Sequence, residues 1–254
     1  MPDKYEVIII GGSYAGLSAA MALGRARRNV LIIDAGKPCN AQTPHSHNFL
    51  THDGATPFSI SQTARDQVMK YPTISFLSGL AVHARKEAEG FLVTTDEGAS
   101  FQSQRLLLAT GVRDIFPPLP GVAACWGISV LHCPYCHGYE VADRKLAILA
   151  NGEMAAEYVK LIRHWSEDVT LLTNGTSQLS DDAMQFLRSA KVPVISTAIR
   201  EISHRDGVLD GVSFQNGDRL SFEAIFTRLP FVHHTGIARG LGCSFTGTNL
   251  IRLN

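Results

Sequence analysis

At 254 residues, with 45% hydrophobic and only 18% charged side chains, the chain has the length of two ordinary domains and a composition that excludes a disordered protein. Cationic and anionic residues balance at 23 each, so no net field draws it to nucleic acid or to an anionic membrane. The start "MPDKYEVIIIGG" is not a secretory signal, and no apolar run approaches the roughly 20 residues of a membrane span. A cytoplasmic setting is therefore expected, in which five cysteines serve burial, metal binding or catalysis.

In chain order, "YEVIIIGGSYAGLSAAMALGRARRNVLIIDAG" passes from an apolar run through a glycine turn into a small-residue helix and a second apolar run ending at Asp34. That is a βαβ unit, with Gly16, Ala19, Ala20 and Leu23 expected on the close-packing face of the helix. Arg25, Arg27 and Arg28 follow the helix, where cations offset the negative end of its dipole. The turn has a dinucleotide-binding spacing: Gly11 for the tight turn, Gly16 for helix–strand approach, and Asp34 to accept hydrogen bonds from a ribose. Ser13 stands where the pattern usually has its middle glycine.

The stretch "CNAQTPHSHNFLTHDG" has no periodicity and reads as an ordered polar loop. Thr56 and Pro57 then open a helix, and "ISFLSG", "FLVTTDEG" and "RLLLATG" read as strands. The prolines of "FPPLPG", residues 116–121, mark a domain junction. Beyond "HCPYCHGYE" a second βαβ unit follows. It comprises "KLAILANG", a helix with Met154, Tyr158, Leu161, Ile162 and Trp165 on one stripe, and "VTLLTNG".

Cys133 and Cys136, with His137 behind them, satisfy three chemistries on paper. A c-type haem needs Cys-x-x-Cys-His, but nothing here directs export. Structural zinc needs two more ligands, whereas Cys39, Cys125 and Cys243 are scattered singly. A redox dithiol needs an accessible thiolate, which the dipole of a short helix opening at the pair would favour and which His132 or His137 could serve as proton partner. Two buried, inert thiols are the fourth possibility.

The order of these pieces resembles the low-molecular-weight thioredoxin reductases over essentially the whole chain, with "GGSYAGLSAA", "ATGVRD" and "CPYCHGYE" carrying the likeness. "NAQTPHSHNFLTHDG", "CHGYE" and "LLTNG" resemble the branch that includes gliotoxin-type dithiol oxidases. The resemblance implies an α/β fold of two Rossmann-like three-layer domains, the second inserted in the first. An FAD domain would span 1–116, with a return segment 244–254, and a pyridine-nucleotide-type domain 117–243. It implies FAD held by Gly11, Ser13, Tyr14, Ala15, Gly16 and Asp34, with Asn48, Ala109, Thr110 and Gly111 nearer the rest of the cofactor. Cys136 would lie beside the flavin, Cys133 would attack the substrate, and His137 would be the acid/base group, with His45 and His47 as further candidates. A dithiol or disulfide, small or carried on a thioredoxin-like protein, is the implied substrate and a homodimer the implied assembly.

Two departures qualify this picture. The second nucleotide loop, "ANGEMA", has Ala150 for the first glycine, and Thr173 and Asn174 end the next strand where an arginine would meet a 2′-phosphate. NADPH is therefore doubtful, and oxidation of a dithiol is preferred over NADPH-driven reduction of thioredoxin; a non-catalytic redox sensor is the remaining alternative. Other members also finish the FAD domain with a strand, a Gly-Asp segment and a helix. These are not found before Asn254, so a truncated chain or a reduced flavin affinity is expected.

Overall fold

The computed structural model describes residues 4–252, so the first three residues of the expected FAD domain and the last two of the expected return segment lie outside the described residues. The chain packs into two units. The described parts of Met1–Ala41, Pro57–Asp114 and Phe231–Asn254 form the first, and Gln42–Thr56 with Ile115–Pro230 form the second.

The first unit opens with β1 (Lys4–Ile10), α1 (Tyr14–Arg25), β2 (Val30–Asp34), α2 (Pro57–Val68) and β3 (Ile74–Ser78). It continues with β4 (Ala81–Glu87), β5 (Gly90–Thr95), β6 (Ser100–Leu108) and β7 (Val112–Asp114). Six of these strands form a sheet in the order β3-β2-β1-β6-β5-β4, parallel from β3 to β6 and antiparallel beyond. The unbroken apolar runs of β1 and β2 follow from burial on both faces. Ile9, Val30 and Ile32 pack with Leu17 and Ala20 of α1. Ile8, Ile10, Leu31 and Ile33 face Ala81, Ala84 and Val93.

The buried residues of α1 are Gly16, Leu17, Ala20 and Gly24; of the expected face, Gly16 and Ala20 are buried, and Ala19 and Leu23 are partly buried against the same core. The helix approaches β1 so closely that a Cβ on Gly16 would overlap the carbonyl oxygen of Gly11, and one on Gly24 would meet the Tyr71 ring at 2.9 Å. Small residues four apart therefore make the contact line.

The second unit holds α3 (Val122–Cys125), β8 (Val130–Leu131), α4 (Pro134–His137), β9 (Leu146–Leu149), α5 (Met154–Ile162) and β10 (Val169–Leu172). After them come α6 (Asp181–Ser189), β11 (Val194–Ile195), β12 (Ile199–Arg205), β13 (Val208–Phe214), β14 (Arg219–Leu220) and β15 (Ala224–Thr227). Its parallel sheet runs β11-β10-β9-β15-β8, and β12-β13-β14 form a separate antiparallel sheet. One face of the parallel sheet, Leu146, Ile148, Leu171 and Phe226, packs on α5 and α6. The other, Ala147, Leu172 and Ile225, packs against Ile199, Ile202, Val212 and Phe214 of the antiparallel sheet. The stripe expected on α5 holds at Tyr158, Leu161 and Ile162 and is corrected at its two ends. Ala155, Ala156, Tyr158, Val159 and Ile162 are buried, Met154 is 62% exposed, and Trp165 lies beyond the end of the helix.

The chain re-enters the first unit at β16 (Phe231–His233), which pairs antiparallel with β7, and continues into α7 (Ile237–Gly240), whose Ile237 joins the first core. The return thus comes earlier than the expected 244, because the β16 ladder ties it. The polar loop 42–56 groups with the second unit instead of the first. Its Gln42 amide donates to the Ala123 and Trp126 carbonyls at 3.1 and 3.0 Å. Among the described residues no helix is long and apolar enough to cross a membrane.

Gly16→Ala has no room to relax, since its neighbour is backbone, and is expected to lower the melting temperature by about 5 °C or more. An unchanged melt in differential scanning calorimetry would contradict the close packing of α1.

Candidate active site

In the first unit, Gly11, Asp34 and Thr110 line one cleft of about 510 Å³, at the carboxyl ends of β1 and β2. The turn is held open from beneath. Gly11 donates to the Ile33 carbonyl at 2.8 Å, Ala109 donates to the Ile10 carbonyl at 2.8 Å, and a Cβ on Gly11 would collide with the Ala109 carbonyl. Asp34 accepts from the Gly12 N–H at 2.9 Å through Oδ1 and from the Gly36 N–H at 3.1 Å through Oδ2, which fixes the carboxylate at the cleft. Ser13 caps α1 in an extended conformation and commits no side-chain bond to the cap, while Tyr14, Ala15 and Gly16 form the first turn behind it. Gly111, at φ +65, turns the chain out of β6.

A backbone kept bare by glycine beside a fixed carboxylate and a helix N-terminus fits the pyrophosphate and adenosine ribose of FAD. The cleft also contains residues with no local motif to announce them: Lys37, His234, and Arg65, whose guanidinium lies 3.7 Å from the centroid of the Phe76 ring. Asn48 belongs to the second unit, where its N–H donates to Asp53 Oδ1 at 2.8 Å.

The second unit carries Cys133, Cys136, His137, His45 and His47 together. Cys133 is the N-cap of α4, Pro134 fills the first helical position, and the N–H groups of Cys136 and His137 both donate to the Cys133 carbonyl at 3.2 Å. Gly138 ends the turn because a side chain there would strike Trp165, which stacks edge-on with Tyr135 at 5.3 Å. Tyr158, from α5, donates to the His132 carbonyl at 2.8 Å and so supports the strand leading into the pair. Its hydroxyl is pushed above the usual phenol range, chiefly by burial, although the Arg228 guanidinium 4.8 Å from the ring centroid opposes this.

Both sulfurs are free thiols. The expectation that a helix dipole lowers a cysteine pKa is corrected at Cys136, which is pushed up to about 12, first by burial and then by the adjacent Cys133 thiol. A four-residue helix supplies too small a dipole to offset that desolvation. His137 is pushed the other way: burial lowers it, Glu140 raises it and His47 lowers it again. It is therefore neutral near pH 7 and able to accept a proton.

His47 comes from a short hairpin closed by Ser46 and Ala55, with the Ser46 N–H on the Ala55 carbonyl and the Gly54 N–H on the Ser46 carbonyl, both at 2.8 Å. Its Nδ1 lies 3.4 Å from Glu140 and 3.7 Å from Asp53, and its ring is edge-on to His137 at 6.5 Å. His45 Nδ1 is 3.0 Å from the Gly54 carbonyl. Glu140 was not among the expected site residues; its spacing of three from His137 was the available signal. Among the described residues no group of three His, Cys, Asp or Glu side chains is placed to hold a metal ion.

The second glycine-type loop is built differently from the first. Asn151 Oδ1 accepts from the Gly152 N–H at 2.9 Å and the Gln178 N–H at 2.8 Å, while its Nδ2 donates to the carbonyls of Thr173 and Thr176 at 3.3 and 3.0 Å. This amide bridges the loops that follow β9 and β10. Glu153 stands at the start of α5, where an acid repels a pyrophosphate. Thr173 and Asn174 spend their side-chain oxygens on Gly175 and Ile199. Asn151, Glu153, Thr173 and Asn174 offer no cation to a 2′-phosphate.

The sequence profile of a family described as pyridine nucleotide-disulphide oxidoreductase matches residues 5–252. The thioredoxin reductase tcpT of Claviceps purpurea is 32% identical over 249 residues, covering 93% of this chain and 77% of its own length. The thioredoxin reductase aclD of Aspergillus oryzae is 30% identical over 250 residues, covering 92% and 79%. Among solved structures, an oxidoreductase from Agrobacterium tumefaciens superposes with a TM-score of 0.91 at 38% identity, covering 99% of this chain and 84% of its own.

The raised Cys136 has a thermodynamic consequence. Above pH 9 the unfolded chain releases this proton while the folded chain keeps it to about 12, so the reduced protein loses stability as pH rises through that window. Thermal melts from pH 8 to 11 are expected to show a shallower decline in Cys136→Ser, and an identical decline would contradict the burial of this thiol.

Proposed function

This chain belongs to the pyridine nucleotide-disulphide oxidoreductase family, and from that premise we propose that it oxidises a substrate dithiol through Cys133 and Cys136, with little or no use of NADPH. It is a flavin-dependent disulfide oxidoreductase of the thioredoxin reductase type. FAD, when bound, supplies the two-electron acceptor for the reduced cysteine pair. Gly11, Ser13, Tyr14, Ala15, Gly16 and Asp34 hold its pyrophosphate and adenosine ribose in this reading. Ala109, Thr110 and Gly111 serve the remainder. A homodimer is proposed from the family resemblance alone.

The residues act in a definite order. His137 takes the proton of the first substrate thiol, the resulting thiolate attacks Cys133 Sγ, and the Cys133–Cys136 bond breaks with its electron pair on Cys136. Cys136, with its high proton affinity, then takes the proton from His137. The second substrate thiol attacks the first substrate sulfur in the mixed disulfide, forms the product disulfide and leaves its proton and the electron pair on Cys133. The substrate loses two electrons and two protons, and the pair gains both.

The observation that carries the direction of flow is the Asn151 bridge, which occupies the N–H of Gly152 and joins the two loops where a pyridine nucleotide would enter. Thioredoxin reductase names among its relatives favour the opposite reading, NADPH-driven reduction, so the two are separated by experiment. Without oxygen, the flavin absorption of the holoenzyme is expected to bleach on adding dithiothreitol and to stay unchanged with NADPH. Bleaching by NADPH would overturn the oxidase reading in favour of a reductase.

A further inference from the structure

Resting on the reading that the cysteine pair exchanges with a dithiol while His137 moves the proton, we propose that Glu140 and His47 are a positioning pair for His137. The Glu140 carboxylate stabilises the imidazolium formed when His137 takes a thiol proton. His47, held against that same carboxylate, opposes this charge and fixes the ring edge-on. The residues come from two stretches far apart in the chain, and His47 is the neighbour of both others: Glu140 lies 3.4 Å from His47 Nδ1, and the rings of His47 and His137 stand at 88° with centroids 6.5 Å apart.

The hairpin that delivers His47 is specified in detail. The Ser46–Ala55 bridge closes it, Asn48 and Thr51 adopt positive φ, and Asp53 accepts the Asn48 N–H at 2.8 Å while standing 3.7 Å from His47. Asp53 has thus a structural task inside the hairpin. The Glu140 carboxylate lies against His47, whose ring stands edge-on to His137. The groups facing His137 are Cys133, Cys136 and Glu140 from its own segment and His47 from the hairpin, with His45 and Asp53 behind His47.

The arrangement makes an unusual demand: the two partners must act with opposite sign. Glu140 raises the proton affinity of His137 and His47 lowers it, against a background already depressed by burial. Removing the carboxylate leaves a weaker base, and removing the second imidazole leaves a stronger one. A variant that only loosened the fold would expose His137 and raise its midpoint in both cases, so opposite shifts separate charge from bracing.

The test is rapid mixing of the holoenzyme with dithiothreitol, without oxygen, from pH 5 to 9, following flavin bleaching in the wild type, Glu140→Gln, Glu140→Asp and His47→Asn. The rate is expected to rise with pH as His137 loses its proton. Its midpoint should move down by about half a pH unit in Glu140→Gln, up by about as much in His47→Asn, and back toward the wild type in Glu140→Asp. Midpoints that stay put, or that move in the same direction, would overturn the proposal. Should a variant lose its flavin, NMR titration of the His137 ring in the flavin-free chain decides the same question by the same opposite shifts. Cys136→Ser separates the two levels of inference: if it bleaches as fast as the wild type, the exchange reading fails, whatever the His137 midpoints do.

Discussion

Backbone packed against backbone at Gly11, Gly16 and Ala109 is the constraint on which the first unit depends. With no Cβ in the way, α1 settles onto β1 through Gly16, Gly11 turns over the Ala109 carbonyl, and the Gly12 N–H reaches Asp34. One steric condition therefore sets the helix direction, the floor of the cleft and the orientation of its carboxylate. The second unit repeats the strand, loop and helix but meets the condition differently. Its loop is tied by the amide of Asn151, which bonds to the chain after β10 and so braces the ends of β9 and β10. In the first loop the Gly12 N–H is taken by a carboxylate from the end of the next strand, and in the second the Gly152 N–H is taken by an amide of the loop itself.

A similar contrast runs through the thiols. Cys136 is buried enough to hold its proton tightly, which makes it a poor leaving group unless a proton arrives with the electrons. His137, one residue on, is depressed by burial, with Glu140 opposing and His47 adding to the shift, and so is neutral near pH 7. Desolvation acts on the two groups in opposite senses because one is charged when it loses a proton and the other when it gains one. The short helix α4 matters less for its dipole than for presenting both groups on one turn, with Trp165 and Tyr158 fixing its position from α5 and the segment after it.

Much of this was legible in the residues. Both βαβ openings, the Pro57 helix start, the Gly11–Asp34 relation and a helix beginning at the cysteine pair all arise from local patterns, which is why they read directly. The buried faces of α1 and α5 read only in part, since their exact register is decided by what they pack on. Gly24 meets Tyr71, and Ala155 and Val159 meet the sheet, contacts made by distant parts of the chain. Glu140 was hidden for the same reason, because its meaning depends on a hairpin that folds in from residues 46–55. The early return at Phe231 rests on the β16–β7 pairing, two three-residue strands too short to show a period.

The central proposal is that the second nucleotide-type loop, braced by Asn151, does not take NADPH. Equilibrium dialysis with NADPH on the wild type and Asn151→Gly tests it without reference to turnover. The account predicts no binding by the wild type at concentrations up to about 1 mM, a Kd above the usual range for a physiological ligand, and a measurable gain in the variant. Micromolar binding by the wild type, unchanged in Asn151→Gly, would contradict it.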